Sequence, residues 1–139
     1  MIAFLGMGLL GSNFVRALRR RGEEVHVWNR SPARAVALEA DGARAFADPA
    51  EAARGADRVH LTLSDDAAVD DVLERARPGL AAGGGLVDHS TTSAAGVLVR
   101  IERWRGRGIT FVHAPVFMGP QNAREALRAA APRYAAVAR

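Results

Sequence analysis

The 139-residue sequence contains no cysteine and no lysine. Without cysteine there can be no disulfide and no thiolate metal site, and nothing argues for secretion. Without lysine, all 19 basic residues are arginine, and no lysine can serve as a general acid or base. No apolar run approaches the roughly 18 residues needed to cross a bilayer, and no signal-peptide pattern is present. These absences predict a cytoplasmic protein.

The net charge of +4 and the pI of about 11.1 could suggest a nucleic-acid-binding protein. However, the arginines are spread over many predicted helices, and their non-titrating guanidinium groups inflate the pI. The single run, Arg19–Arg21, falls at a predicted helix C-terminus, where the helix dipole favours cations. We therefore predict one globular domain that does not bind nucleic acid.

A glycine-rich turn follows the first predicted strand, Ile2–Leu5. Gly6, Gly8 and Gly11 occupy the three positions of G-x-G-x-x-G, which serve a tight turn, approach to a pyrophosphate and close helix packing. The helix that follows repeats apolar residues on one face, at Leu10, Phe14 and Leu18. This context predicts a dinucleotide site with the pyrophosphate at the helix N-terminus; a glycine-rich turn without a ligand is the alternative.

The second predicted strand, Val25–Trp28, ends at Asn29, Arg30 and Ser31. A carboxylate about 20 residues beyond the fingerprint would bind a ribose 2′-hydroxyl, whereas an arginine there accommodates a 2′-phosphate. No Asp or Glu stands at this strand end, and Arg30 could pair with a phosphate while its two neighbours add neutral hydrogen bonds. The sequence favours NADP(H) over NAD(H).

Strand and helix patterns alternate along the rest of the chain. Four further strands are predicted at Arg44–Phe46, Arg58–Leu63, Gly85–Asp88 and Ile109–His113. Candidate helix caps between them are Ser31, Asp48, Asp65 and one of Thr91, Thr92 or Ser93. Six strands joined by helices predict an α/β fold with a doubly wound parallel sheet in the order 3-2-1-4-5-6, and a ligand along the carboxyl ends of the strands.

The composition changes near the end of the chain. Residues 120–139 are rich in Ala and Arg, lack glycine and show no strand pattern. We predict a Rossmann domain over residues 1–119, followed by an atypical helical tail that is interrupted at Pro132.

Five ordered motifs, between residue 1 and about residue 120, carry a family resemblance. They read G-M-G-L-L-G-S-N-F-V-R-A-L, V-W-N-R-S-P-A-R-A, L-T-L-S-D-D-A-A-V, D-H-S-T-T-S and H-A-P-V-F-M-G. Together they resemble the β-hydroxyacid dehydrogenase family, which includes 3-hydroxyisobutyrate, tartronate-semialdehyde and 6-phosphogluconate dehydrogenases. The resemblance implies an N-terminal Rossmann domain that binds NAD(P), with a helical C-terminal domain that completes the active site.

The resemblance also implies residue roles by position. The implied cofactor contacts are Gly6, Met7, Gly8, Leu9, Leu10 and Gly11 at the pyrophosphate, Asn29, Arg30 and Ser31 at the adenosine ribose and its phosphate, Leu63 and Ser64 beneath the cofactor, and Thr91 at the nicotinamide ribose. The implied substrate contacts are Ser90 and the loop Phe117, Met118 and Gly119.

Two departures from the family pattern limit the functional prediction. Phe117 and Met118 are bulky where the family has small polar residues, which puts a small hydroxy-acid substrate in doubt. The family's catalytic lysine is absent, so no catalytic residue is assigned and the chain alone is predicted to be catalytically incomplete. The leading hypothesis is the NADP(H)-binding domain of an oxidoreductase that transfers hydride to or from a hydroxy-acid-like substrate. The alternative is a non-enzymatic nucleotide-binding or sensing module that acts through a partner.

Histidines and paired carboxylates offer no further catalytic motif. His26 and His60 lie within predicted strands and favour packing roles, and His89, near a strand end, favours a structural role over substrate contact. Asp65-Asp66 and Asp70-Asp71 fit a helix N-terminus and a solvated helix face. No metal-ligand spacing is present.

Self-association is a further expectation. Without a helical domain over the active-site edge, Phe117 and Met118, together with either Trp104 or the tail residues Leu127 and Tyr134, are expected to form an apolar patch. Large patches of this kind usually mark interfaces, and we predict a homodimer. A tail that folds back over the patch within one monomer is the alternative.

Overall fold

A computed structural model describes residues 1–116. The strands are β1 (Ile2–Leu5), β2 (Val25–Trp28), β3 (Arg44–Phe46), β4 (Arg58–Leu61), β5 (Gly85–Asp88) and β6 (Thr110–His113). The α-helices are α1 (Leu9–Arg20), α2 (Pro32–Val36), α3 (Pro49–Ala53), α4 (Asp66–Ala76) and α5 (Ala94–Arg105). Short 3₁₀ segments, Ala37–Asp41 and Arg77–Gly79, follow α2 and α4.

The six strands form one parallel sheet in the order β3-β2-β1-β4-β5-β6. This confirms the predicted α/β doubly wound fold and its strand order. In the register, Leu5 is level with Trp28 and Leu61, and Leu61 is level with Asp88. The segments that follow these strands therefore meet at one edge, which is where a doubly wound sheet binds its ligand.

The core consists of two apolar layers, one on each face of the sheet. Alternate residues of β1 supply both layers, because successive side chains of a strand point to opposite faces. Ala3 and Leu5 pack with α3, α4 and Trp104, whereas Ile2 and Phe4 pack with α1 and α2. The prediction that Trp104 loses its cover is wrong: its side chain is 1% exposed, within the first layer, and Arg107 lies over its ring.

Local sequence signals explain most element boundaries. Asp48, Asp65 and Ser93 each accept a backbone N–H bond as the N-cap of α3, α4 and α5. β4 ends at Leu61, two residues before its predicted end at Leu63. The Leu63 N–H donates to the Ser90 hydroxyl rather than to a strand carbonyl. β6 likewise begins at Thr110 rather than at the preceding residue.

The remaining sequence predictions fall on residues 117–139. The tail, the boundary at residue 119 and the substrate-loop residues Phe117, Met118 and Gly119 lie outside the described residues, as do Leu127 and Tyr134. Within the part of the chain that is described, no helix is long and apolar enough to cross a membrane.

Candidate dinucleotide-binding site

A cleft of about 700 Å³ runs along the carboxyl edge of the sheet. Its walls come from the turns after β1, β2 and β4 and from one face of α4. The lining residues are Gly6, Gly8, Leu9, Leu10, Gly11, Trp28, Asn29, Arg30, Ser31, Arg34, Thr62, Leu63, Ser64, Ala68, Asp71, Val72 and Arg75. Ten of the residues predicted to contact the cofactor are therefore brought together in one cavity.

The three fingerprint positions differ in the structural reason for having glycine. A Cβ added at Gly6, which has a φ of +101°, would lie 2.2 Å from the Thr62 carbonyl oxygen. A Cβ at Gly11 would lie 2.0 Å from the Gly6 carbonyl oxygen. Gly8 differs, because a Cβ there would meet nothing within 4 Å and Gly8 lines the cleft. The fold therefore requires Gly6 and Gly11, whereas among residues 1–116 the space beside Gly8 is open to the cleft.

The N-terminus of α1 opens onto the same cavity. Gly8 is the N-cap residue, and no side chain caps the helix. The first turn of an α-helix carries N–H groups that have no partner within the helix, and the helix dipole adds positive potential there. Together with the open space beside Gly8, this end of the cleft fits an anionic pyrophosphate.

Asn29 connects the glycine turn to the end of β2. Its Oδ1 accepts a hydrogen bond from the Met7 N–H (2.8 Å), and its Nδ2 donates to the Ser31 carbonyl oxygen (3.0 Å). Met7 contributes this backbone contact, while its side chain is buried in the core and does not line the cleft. Part of the hydrogen-bonding capacity of Asn29, which was predicted to contact ribose, is thus used to hold two walls of the cleft together.

Two arginines line the cleft next to Asn29. Arg30 and Arg34 are both exposed, and neither guanidinium makes a hydrogen bond or ion pair to any residue between 1 and 116. The lining includes one carboxylate, Asp71, whose nearest cation is Arg75 at 3.8 Å. The end of the cleft beside Asn29 is therefore cationic.

Ser90 and Thr91 lie beyond the cleft lining. Ser90 is 3% exposed, its Oγ accepts a hydrogen bond from the Leu63 N–H (2.9 Å), and its own N–H donates to Asp88 Oδ1 (2.9 Å). This geometry makes Ser90 a tie between the turns that follow β4 and β5. Thr91 is exposed next to it. Their predicted contacts with substrate and nicotinamide ribose stay predictions.

Sequence reasoning missed the α4 wall of the cleft. Ala68, Asp71, Val72 and Arg75 all line the cavity. Their spacing of three and four residues marks one helical face, which is the signal that the sequence offers for this wall. Arg75 also lies over the ring of Trp28, with its Cζ 5.1 Å from the ring centroid.

His26 and His60 are buried in the core, as predicted, and His89 is buried beside His60. His60 Nδ1 lies 2.9 Å from His89 Nε2, and His89 Nδ1 lies 3.0 Å from the Ala114 carbonyl oxygen. Both rings stack with Phe4, and burial lowers the pKa of both histidines, that of His60 well below its usual range. His89 therefore has the structural role that the sequence favours. Within residues 1–116 no cluster of side chains could hold a metal ion.

The paired carboxylates on α4 differ from the prediction of a simply solvated face. Asp66 and Asp70 both form ion pairs with Arg100 of α5, which is 1% exposed. The Ser93 N–H first, and then Arg100, lower the pKa of Asp66. Asp66 and Asp70 therefore fix α4 against α5 and lie outside the cleft lining, whereas Asp71 lines the cleft.

Comparison with known proteins identifies the family. Residues 1–130 match the family model described as the NAD binding domain of 6-phosphogluconate dehydrogenase. The chain belongs to this family. It is 33% identical over 118 residues to glyoxylate/succinic semialdehyde reductase 2, chloroplastic, of Arabidopsis thaliana, which covers 83% of this chain and 33% of that protein.

Solved structures agree with this assignment. A 3-hydroxyisobutyrate dehydrogenase from Mycobacterium tuberculosis superposes with a TM-score of 0.87 at 26% identity, covering 94% of this chain and 49% of that one. Psf3 in complex with NADP⁺ and 2-OPP superposes with a TM-score of 0.84 at 25% identity, covering 95% and 52%. The chain thus spans a third of the length of the curated relative and about half of each solved chain. It is an NAD(P)-binding domain of the hydroxyacid dehydrogenase family.

Proposed function

We propose that this domain binds NADP(H) in preference to NAD(H). The observation that carries the proposal is the exposed Arg30 guanidinium, which lines the cleft at the end of β2 and has no partner among residues 1–116. A 2′-phosphate would gain a charge-assisted, bidentate contact there, whereas the 2′-hydroxyl of NAD(H) finds no carboxylate at this strand end. Arg34 adds positive charge, and Psf3, a structural neighbour, is a complex with NADP⁺.

Titration of the purified chain with NADPH and NADH tests the preference. Arg30→Ala should shrink the difference between the two binding free energies by about 1.5–3 kcal/mol, the scale of hydrogen bonds to charged groups. Arg54→Ala is the matched control, because Arg54 is an exposed arginine that lies outside the cleft lining and pairs with Glu51. Equal affinities for NADPH and NADH in the unmodified chain would refute the preference.

We infer that the domain serves an oxidoreductase that acts on a hydroxy-acid-like substrate. A bound nicotinamide would supply the hydride chemistry, while the protein supplies binding and orientation. The glycine turn and the N-terminus of α1 would hold the pyrophosphate, and the Leu63–Ser90 tie would support the nicotinamide end. The proton that accompanies hydride transfer needs a general acid or base, and the family's lysine is not among these 139 residues.

The second candidate is a nucleotide-binding or sensing module that acts through a partner. Assays of NADPH oxidation with 2-oxo acids and semialdehydes distinguish the candidates. Turnover by the chain alone, abolished by Ser90→Ala, would support the enzyme, whereas tight binding without turnover is expected both of the module and of an enzyme domain that is incomplete alone.

The predicted homodimer and cytoplasmic location stay proposals. Trp104 is buried, so it does not belong to the exposed apolar patch from which a dimer is predicted. Sedimentation of the full chain beside a variant that ends at Gly119 tests the dimer; a full-length monomer at high micromolar concentration would refute it.

A further inference from the structure

Arg75 occupies a position from which it can contact a bound ligand. It lies in the last turn of α4, lines the cleft and is 47% exposed. Its guanidinium covers the ring of Trp28, the last residue of β2, whose side chain is 2% exposed. Because Asn29, Arg30 and Ser31 follow Trp28 directly, Arg75 lies beside the turn proposed to hold the adenosine ribose.

The contacts of Arg75 favour a planar ligand over a simple counterion. Arg75 Cζ lies 5.1 Å from the centroid of the Trp28 ring, and guanidinium groups stack on nucleobases as well as on aromatic side chains. The indole is itself fixed, because Trp28 Nε1 donates to the Ala47 carbonyl oxygen (3.1 Å). The ion pair with Asp71 is long, at 3.8 Å, and both partners are well exposed, so it restrains Arg75 only weakly.

We propose that Arg75 is a cofactor-binding residue that stacks on the adenine ring of the dinucleotide, with Trp28 as its support. The purine would lie in the cleft between the turn after β2 and the α4 face formed by Ala68, Val72 and Arg75. Ala68 and Val72 provide apolar contact, while Arg75 provides a planar cation. This inference rests on the proposed dinucleotide binding but not on the preference for NADPH.

The test compares three variants by titration with NADPH and with NADH. Arg75→Ala should weaken both ligands by a similar factor of roughly three to thirty, because both carry adenine. Arg75→Lys should weaken both nearly as much, since an ammonium keeps the charge but loses the plane. Arg77→Ala is the matched control: Arg77 follows α4 directly, is 59% exposed, pairs with Glu74 and lies outside the cleft lining, so its removal should leave both affinities unchanged.

Two other outcomes overturn the proposal. If Arg75→Ala weakened the binding of NADPH alone, and Arg75→Lys retained most of the affinity for NADPH, Arg75 would pair with the 2′-phosphate instead. Unchanged affinity for both ligands in Arg75→Ala would mean that Arg75 only covers Trp28, and thermal unfolding of each variant separates this structural effect from binding. If the unmodified chain binds both dinucleotides equally, the NADPH preference fails while the Arg75 comparison still decides the stacking. If it binds neither, both proposals fail.

Discussion

The Thr62 hydroxyl donates a hydrogen bond to the carbonyl oxygen of Gly6, at 2.9 Å. Gly6 is the first fingerprint glycine, and its carbonyl oxygen also faces Gly11, where a Cβ would lie 2.0 Å away. A side chain that follows β4 thereby fixes the turn that follows β1. The glycine turn is therefore fixed by a hydrogen bond from the segment that follows β4 as well as by its own sequence.

Removal of this hydroxyl should loosen the glycine turn. Thr62→Val keeps the shape but leaves the Gly6 carbonyl without its donor, which should cost about 1–2 kcal/mol of unfolding free energy and weaken NADPH binding. Thr62→Ser restores the donor and should recover both. Urea unfolding and NADPH titration measure the two effects, with adenosine 2′-monophosphate, which lacks the pyrophosphate, as the control ligand. An equal loss of affinity for that ligand would show that Thr62 does not act through the glycine turn.

Substitutions at Gly8 and at Gly11 should have different effects, the first on NADPH binding and the second on the stability of the fold. Gly8→Val should abolish NADPH binding with the fold largely intact, because its side chain would occupy open cleft space rather than touch the protein. Gly11→Ala should instead lower the unfolding free energy by about 3 kcal/mol, because its Cβ would collide with the Gly6 carbonyl.

Circular dichroism melts and NADPH titrations of the two variants make this comparison. Normal NADPH binding by Gly8→Val would move the phosphate site away from this turn. A Gly11→Ala variant as stable as the unmodified chain would contradict the close packing of α1 on β1.

More of the fold than of the candidate site could be predicted from the sequence. Strand position follows from apolar alternation and from strand-ending residues, so β1, β2, β3 and β5 were predicted with their observed bounds. The Gly6–Gly11 turn and the turn at Arg30 follow from local spacing. Thr62, Trp28 and Arg75 escaped prediction because their roles depend on which strands are neighbours, and each contacts a residue at least 40 positions away. Ser90 was found by resemblance, but its bond to Leu63 N required the structure.

Arg100 is expected to contribute strongly to the packing of α5 against α4. Its guanidinium is buried and shared by Asp66 and Asp70, and Arg103 also bonds Asp70 at 3.2 Å. Arg100→Ala should lower the unfolding free energy by about 3 kcal/mol, near the lower end for breaking a buried ion pair because both carboxylates are partly exposed. Arg105→Ala on the same helix is the control, since its pair with Glu102 is fully on the surface and should contribute little. Urea unfolding that gives the two variants the same stability would contradict this role.

Mild acid should destabilise the domain through its buried histidine pair. The Ala114 carbonyl can only accept, so His89 donates from Nδ1 and accepts at Nε2 from the Nδ1–H of His60. The remaining nitrogen of His60, Nε2, is buried and has no hydrogen-bond partner among residues 1–116. Burial, followed by the neighbouring His89, lowers the pKa of His60. Both rings are therefore neutral in the fold but bind protons in the unfolded chain below about pH 6.5.

The sign of the pH effect follows from this difference. Stability is fully present above about pH 6.5 and is lost as the pH falls below it, by up to about 1.4 kcal/mol per histidine at pH 5.5. His60→Asn keeps a donor near the Nδ1 position but cannot titrate, so it should lose less stability between pH 7.5 and 5.5 than the unmodified chain does. Urea unfolding at the two pH values provides the comparison. The same pH dependence in both proteins would mean that His60 is not responsible, whereas a reduced loss in His60→Asn assigns part of the acid sensitivity to a histidine that lies directly against Phe4 of the central strand.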